Sequence, residues 1–156
     1  MRTTWILGSL ALVYSFAAPP RTTPASGAVD PCTLLTAKEV SAALGIASLP
    51  GRPYLGSKKV CYFAADTGYV MGAPSVTLMV TTPSAFENGK LMGPHPVSGL
   101  GDEAYYVGGQ SYVKLGVRKG NGAFSVTVVA GEHSTATAAQ VEQIEEALAR
   151  KVMARL

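Results

Sequence analysis

Alternation and helical repeats of apolar residues divide the chain into elements, and the clearest of them is a short helix in residues 34–45. The sequence LLTAKEVSAALG places Thr36 and Glu39 at the spacing of a capping box, in which each side chain accepts the backbone N–H of the other residue. Gly45 follows the last apolar residue of the repeat and suits the left-handed end of a helix. The pattern therefore predicts a helix that begins after Thr36 and ends at Gly45.

Two β-rich segments and a second short helix are expected next. Residues 60–64 (VCYFA) are rich in residues that favour strands, and residues 75–81 (SVTLMVT) alternate between apolar and polar positions. Ser84 and Glu87 again have the spacing of a capping box, so we expect a helix over residues 85–91.

A hairpin is predicted around Asn121 and Gly122. If these two residues form a type I′ turn, Val117 lies opposite Val126, and the apolar residues of both strands point to the same side of the sheet. The turn signal and the alternation agree, which favours two paired strands here.

A second tight turn is predicted at Gly108 and Gly109. This turn would place Tyr105 opposite Tyr112, on the outer face of the sheet. The two turns together predict a three-stranded antiparallel meander.

Residues 137–155 have the pattern of an amphipathic helix. Their apolar stripe comprises Val141, Ile144, Leu148 and Val152. Such a stripe must be buried against another element, and the sheet offers an apolar face. The predicted fold class is therefore α+β: a single antiparallel sheet of about five strands, covered on one face by the long C-terminal helix, with two short helices.

The first part of the chain differs in composition from the rest. A short positively charged start precedes residues 5–18, an apolar run of 14 residues that is typical of an export signal. This run is shorter than the roughly 20 residues that span a bilayer, although a single uncleaved anchor remains an alternative. Residues 19–28 have the Pro/Ser/Thr-rich composition of a linker. We expect residues 1–28 to be signal peptide and linker, and residues 29–156 to form one domain.

The expected location is outside the cytoplasm: periplasmic, in the cell envelope or extracellular, with no stable membrane span after signal cleavage. The charge of residues 29–156 is nearly balanced, with 11 Lys and Arg against 10 Asp and Glu. Nucleic-acid-binding domains usually carry a marked positive excess. The composition therefore argues against nucleic acid as a partner, and it does not indicate an anionic membrane.

Cys32 and Cys61 are the two cysteines of the chain. An exported protein meets oxidising conditions, and an even number of cysteines favours a disulfide. Without a nearby histidine pair they cannot complete a tetrahedral zinc site, and they lack the C-x-x-C spacing of a redox pair. We predict a structural disulfide between Cys32 and Cys61.

The segment GLGDEA, residues 99–104, contains the G-x-G-x-x-A spacing of a dinucleotide-binding turn. That fingerprint requires a strand before it and a helix after it. Here strand-forming residues follow, and Asp102 and Glu103 would place negative charge where phosphates should lie. We interpret the glycines as a sharp turn, and no cofactor is predicted.

Several motifs together resemble those of a known group of proteins. Residues 30–45 (DPCTLLTAKEVSAALG), 61–63 (CYF), 97–106 (VSGLGDEAYY) and the hairpin in 113–129 are similar to a family of secreted bacterial envelope proteins of unknown function, many of them lipoproteins. The resemblance implies that Cys32 and Cys61 are the paired cysteines of that family. This chain lacks the lipid-acceptor cysteine of the lipoprotein members, and the resemblance brings no catalytic residues.

Enzyme chemistry is weakly supported by the residues themselves. His95 and His133 are far apart in sequence, and a hydrolase needs a histidine, a nucleophile and an orienting carboxylate that converge. Convergence of His95 with Ser98, Asp102 and Glu103 is an alternative, but none of these residues has the spacing of a metal or catalytic motif. We therefore predict no catalytic residues and no metal site.

A binding role is the remaining class. The predicted outer face of the sheet carries Tyr105, Tyr112, Lys114 and Arg118, a mixture suited to an unknown protein, peptide or glycan partner. An ordinary solvated face is the competing interpretation. A different hypothesis is a carrier that holds a small apolar or lipid-like ligand in a pocket between sheet and helices.

Overall fold

The computed structural model describes residues 29–65, 72–109, 112–132 and 134–156. The predicted signal peptide and linker lie outside the described residues. Over these described residues the fold is α+β, with one antiparallel sheet and three α-helices. Its strands are β1 (Arg52–Pro53), β2 (Val60–Ala64), β3 (Ser75–Thr81), β4 (His95–Val97), β5 (Glu103–Gly109), β6 (Tyr112–Lys119) and β7 (Gly122–Val129).

The seven strands lie in the order β1-β2-β3-β7-β6-β5-β4. The prediction of about five strands was therefore too low, because the two edge strands were missed. Both edges are short and contain proline, Pro53 in β1 and Pro96 in β4. Proline cannot donate to a strand ladder and occurs mainly at edges, so neither segment shows the alternation of a central strand.

The helices are α1 (Ala37–Leu44), α2 (Pro83–Gly89) and α3 (Ala138–Met153). The capping box of Thr36 and Glu39 is present at α1, as predicted. Helix α2 instead begins at Pro83 and is capped by Thr82, whose hydroxyl accepts the N–H of Ala85. Proline at the first helical position is pre-organised for a helix, which explains the earlier start.

Helices α1 and α3 cover one face of the sheet, here called the inner face, and α2 lies on the opposite, outer face. The inner core includes apolar residues from α1, α3 and the central strands: Val40, Phe63, Leu78, Leu115, Phe124, Val126, Leu148 and Val152. A two-pronged ion pair between Arg155 and Glu39 connects the end of α3 to α1, with both contacts at 2.8 Å. This pairing lowers the pKa of Glu39 to about 2.

The hairpin of β6 and β7 differs in register from the prediction. Val117 lies opposite Phe124, and the two turn residues are Gly120 and Asn121. Gly120 has φ +56°, and a single positive φ at the first turn position is the pattern of a type II′ turn. The register moves by two positions, so the same apolar residues still face inward.

The predicted turn at Gly108 and Gly109 is wrong. Strand β5 continues through both glycines, and Tyr105 lies opposite Gly116 in β6. A Cβ atom at Gly116 would lie 3.0 Å from Cζ of Tyr105, so the glycine gives the tyrosine ring room on the sheet. A larger residue at position 116 would therefore conflict with the Tyr105 ring in this register.

The disulfide prediction is confirmed. Cys32 and Cys61 are bonded and connect a 3₁₀ turn, Pro31–Thr33, to β2. Among the described residues, no helix is both long and apolar enough to cross a membrane.

Candidate ligand cavities at one end of the sheet

Two neighbouring cavities lie at the end of the sheet where β3 begins and β7 ends. Their volumes are about 650 Å³ and 350 Å³. The connection between β7 and α3 forms a wall of both, through Ala130, Gly131, Glu132, Ser134 and Ala136. The small side chains that predominate in this connection leave the end of the sheet unfilled.

The larger cavity has mainly apolar walls. Apolar side chains come from the end of α1 and the residues after it, from the residue just before β3, from β7 and from α3: Leu44, Ile46, Pro74, Val128 and Ile144. The polar side chains at its wall are those of Glu132, Ser134 and Thr135. A cavity of this size with few polar groups has the character of a small-molecule site.

Close backbone approaches hold the wall of the cavities in place. Glu132 donates its N–H to the carbonyl of Gly72 at 3.0 Å, and Ser134 donates to the carbonyl of Gly131 at 3.1 Å. Gly131 has φ +95°, and a Cβ atom there would lie 2.9 Å from Cγ of Pro74. Glycine is therefore required at this position.

The smaller cavity lies where β6 and β7 cease to pair. The ladder between them ends with Lys114 opposite Thr127. Beyond this pair, Val113 of β6 and Val128 of β7 line the cavity together with Val141 of α3. We call this space the β6–β7 gap.

A buried carboxyl group, that of Glu145, lies beside the β6–β7 gap. Its Oε1 accepts the backbone N–H of Val128 at 2.9 Å, and the residue is 0% exposed. Oε2 has no hydrogen-bond partner among the described residues. Burial raises the pKa of Glu145 to about 8, against a smaller opposing effect of the Val128 N–H. At neutral pH the group is therefore mainly a neutral acid.

The other polar groups that the structure describes near Glu145 supply no positive charge. Tyr106 of β5 donates its hydroxyl to the carbonyl of Glu142 at 3.0 Å, and burial raises the pKa of this phenol. The negative charge of Glu142 adds to the rise in the pKa of Glu145. No ion pair joins Glu145 to a cation in the described part of the chain.

The tyrosine face predicted from the sequence does not form as expected. Tyr105 is on the outer face but only 5% exposed, because Phe86 of α2 packs on it with ring centroids 4.7 Å apart. Its hydroxyl donates to the Phe86 carbonyl at 2.7 Å. Tyr112 lies opposite Gly109 rather than Tyr105, and its side chain is outside the described part of the structure. The expectation of an exposed pair was therefore wrong.

The two cations predicted for the same face are half-buried. Arg118 pairs with Glu103 at 3.0 Å, and Lys114 lies opposite Thr127. Helix α2, whose partners Tyr105 and Val107 are distant in sequence, covers this side of the sheet. Sequence periodicity carries no signal for such coverage.

The residues considered for catalysis have structural contacts instead. Asp102 accepts the N–H of Gly120 at 2.6 Å and so supports the β6–β7 turn, while Glu103 also pairs with Lys90. His95 is exposed on edge strand β4, and His133 lies outside the described residues. Within the described ranges, no group of three or more His, Cys, Asp or Glu residues could hold a metal ion.

Comparisons with known proteins found no match. No protein-family model, curated protein or solved structure matches the chain. The described residues form an α+β domain with a disulfide, a seven-stranded antiparallel sheet and helices on both faces of that sheet. The resemblance to secreted envelope proteins stays a prediction.

Proposed function

We propose that this is an exported, non-catalytic binding protein that carries a small apolar or lipid-like ligand in the larger cavity. The observation that carries this proposal is the volume of about 650 Å³ between apolar walls supplied by α1, α3 and the sheet. Small-molecule sites typically have volumes of about 300–1,000 Å³ and a few polar groups. The cavity has both properties.

Among the described lining residues, the polar side chains lie at one wall. Glu132, Ser134 and Thr135 all belong to the connection between β7 and α3, whereas the walls from α1 and the sheet are aliphatic. A ligand with an apolar body and one polar end fits this division. Hydroxyl groups can both donate and accept, so the polar end has hydrogen-bonding partners.

Export is supported by the disulfide. Bonds of this kind persist mainly in oxidising compartments, and Cys32 and Cys61 form one here. A partner on the predicted tyrosine face is no longer favoured, since Tyr105 is buried. We therefore favour a ligand carrier over a protein that binds a partner through the tyrosine face.

The test is titration of the purified protein with N-phenyl-naphthylamine, a neutral apolar fluorophore, followed by displacement with a long-chain alcohol, whose hydroxyl end matches the polar wall. Ala130 lines both cavities, so Ala130→Phe should fill space and weaken probe binding about tenfold or more. Ala154→Phe is the matched control, because Ala154 is exposed at the end of α3.

The two variants separate the proposal from general surface binding. The control should bind the probe as the wild type does, and both variants should unfold at nearly the wild-type temperature. Equal probe affinity in wild type and Ala130→Phe would place the probe elsewhere and contradict the proposal. Absence of binding of both the probe and the long-chain alcohol to folded wild-type protein would do the same.

A further inference from the structure

A strongly exposed leucine lies at the tip of the turn between β1 and β2. Leu55 is 89% exposed, and the preceding Tyr54 is 48% exposed. Leu55 has φ +48° and is the one non-glycine residue with a positive φ in the described part of the chain. This conformation is unfavourable for a leucine, and such outliers cluster where function demands them.

The turn has a defined shape. The N–H of Ser57 donates to the carbonyl of Tyr54 at 2.9 Å, and the N–H of Lys59 donates to the Ser57 hydroxyl at 3.2 Å. The ring of Tyr54 packs on Tyr62 of β2, with centroids 5.7 Å apart. Leu55 is thus presented to solvent from a turn that is attached to the sheet.

The stretch of chain that contains the tip carries basic residues and no acidic ones, although the charge of the domain as a whole is nearly balanced. No acidic residue occurs between Glu39 and Asp66, and the same stretch contains Arg52, Lys58 and Lys59. Lys58 and Lys59 are exposed, and neither forms an ion pair with any residue that the structure describes. The tip therefore combines an exposed leucine, an aromatic ring and the two exposed lysines Lys58 and Lys59.

We propose that residues 54–59 dock this protein on the surface of an anionic phospholipid bilayer. Leu55 would enter the region below the headgroups, Tyr54 would lie at the interface, and Lys58 and Lys59 would contact lipid phosphates. Leucine favours the hydrocarbon, tyrosine favours the interface, and basic residues are attracted to anionic leaflets. One leucine and a few cations give reversible rather than permanent attachment.

The proposed docking turn is separate from the ligand cavities. The turn precedes Val60 at one end of β2, whereas the cavities lie beyond Ser75, which is opposite Ala64 at the other end. Variants in residues 54–59 should consequently leave probe binding in the cavity unchanged. Failure of one proposal is therefore distinguishable from failure of the other.

The experiment is co-sedimentation of the purified protein with vesicles of phosphatidylcholine, with and without phosphatidylglycerol. We expect binding to the vesicles that contain phosphatidylglycerol and loss of binding at high salt. Lys58→Gln and Lys59→Gln should each weaken it about fivefold. Leu55→Asn should also weaken it severalfold, and asparagine tolerates the left-handed conformation, so this variant should remain folded.

The matched control is Leu91→Asn. Leu91 is 86% exposed on the turn Lys90–Met92, which follows α2 and leads to the opposite edge of the sheet. This variant should bind vesicles as the wild type does. An equal loss in Leu91→Asn and Leu55→Asn would overturn the proposal, because it would indicate general apolar adsorption.

Three further outcomes would also overturn the proposal. The first is absence of wild-type binding to anionic vesicles. The second is full binding by Leu55→Asn together with loss in the lysine variants, which would indicate adsorption by charge without insertion. The third is retention on immobilised polyglutamate but not on vesicles, which would indicate an acidic protein partner.

Discussion

Replacing Glu145 by glutamine should make the stability of this protein less dependent on pH. In the wild type, Oε1 of Glu145 accepts the N–H of Val128 at 2.9 Å. Glutamine has nearly the same shape, and its side-chain oxygen can accept the same N–H. It cannot ionise. The substitution thus removes the titration of one buried group while leaving the packing of α3 against β7 in place.

The sign of the effect follows from the raised pKa. The pKa of Glu145 is about 8 in the folded protein, against an ordinary value of 4.5. Between these values the folded state keeps a proton that the unfolded state releases. The free energy of unfolding of the wild type should therefore fall as pH rises through this window, by at most about 1.4 kcal/mol per pH unit from this group. Below pH 4.5 the contribution is fully present, and above pH 8 it is lost.

The expected loss of unfolding free energy is large compared with the stability of an ordinary domain. A loss of a few kcal/mol between pH 5 and pH 8 is a substantial part of the roughly 5–15 kcal/mol that keeps a domain folded. Glu145→Gln should be close to wild type near pH 5 and more stable than wild type at pH 8. Urea unfolding followed by far-UV circular dichroism at a series of pH values measures both free energies.

Glu142→Gln is the control for this prediction. Glu142 lies on the same helix and its charge raises the pKa of Glu145, but its removal leaves Glu145 able to titrate. The control should retain most of the fall in stability with pH. If wild type and Glu145→Gln showed the same pH dependence, burial of an unpaired carboxyl group would not be the cause, and the reasoning would fail.

Two further predictions concern the packing of the sheet. Replacing Cys32 and Cys61 together by alanine should lower the free energy of unfolding by about 3–4 kcal/mol, because the bond closes a loop of 29 residues. Urea unfolding measures this loss, and an unchanged urea midpoint would contradict a structural role of the disulfide. Tyr105→Ala should destabilise by about 3–5 kcal/mol, since the ring is buried against Phe86. A melting temperature equal to that of wild type would show that the ring is exposed after all.

The elements that the sequence predicted correctly are those with local signals. The capping box of Thr36 and Glu39 involves residues three positions apart, so no tertiary information is needed to find it. Strand register has no such local signal, because a shift of two positions keeps every side chain on the same face of the sheet. The alternation around Val117 therefore could not distinguish Val126 from Phe124 as its partner.

The burial of Glu145 could have been predicted from its position in the helical repeat. Position 145 is four residues after Val141 and three before Leu148, which places it on the apolar stripe of α3. Glu145 is also one of three acidic residues, with Glu142 and Glu146, that precede Arg150 and Lys151 along α3, which is the order that the helix dipole favours. An acid on a buried stripe indicates either a partner for its carboxyl group or a raised pKa.

The gap between β6 and β7 and the buried acid have a common structural origin. Where pairing with β6 ends after Thr127, the N–H of Val128 still needs an acceptor, since an unpaired buried donor costs about 1–3 kcal/mol. Glu145 supplies that acceptor from α3. An aliphatic residue at position 145 would leave the N–H unpaired, and an ionised carboxylate would be costly to bury. A protonated carboxyl group accepts the Val128 N–H and carries no charge. The cavity can therefore stay open beside a strand end whose N–H is hydrogen-bonded.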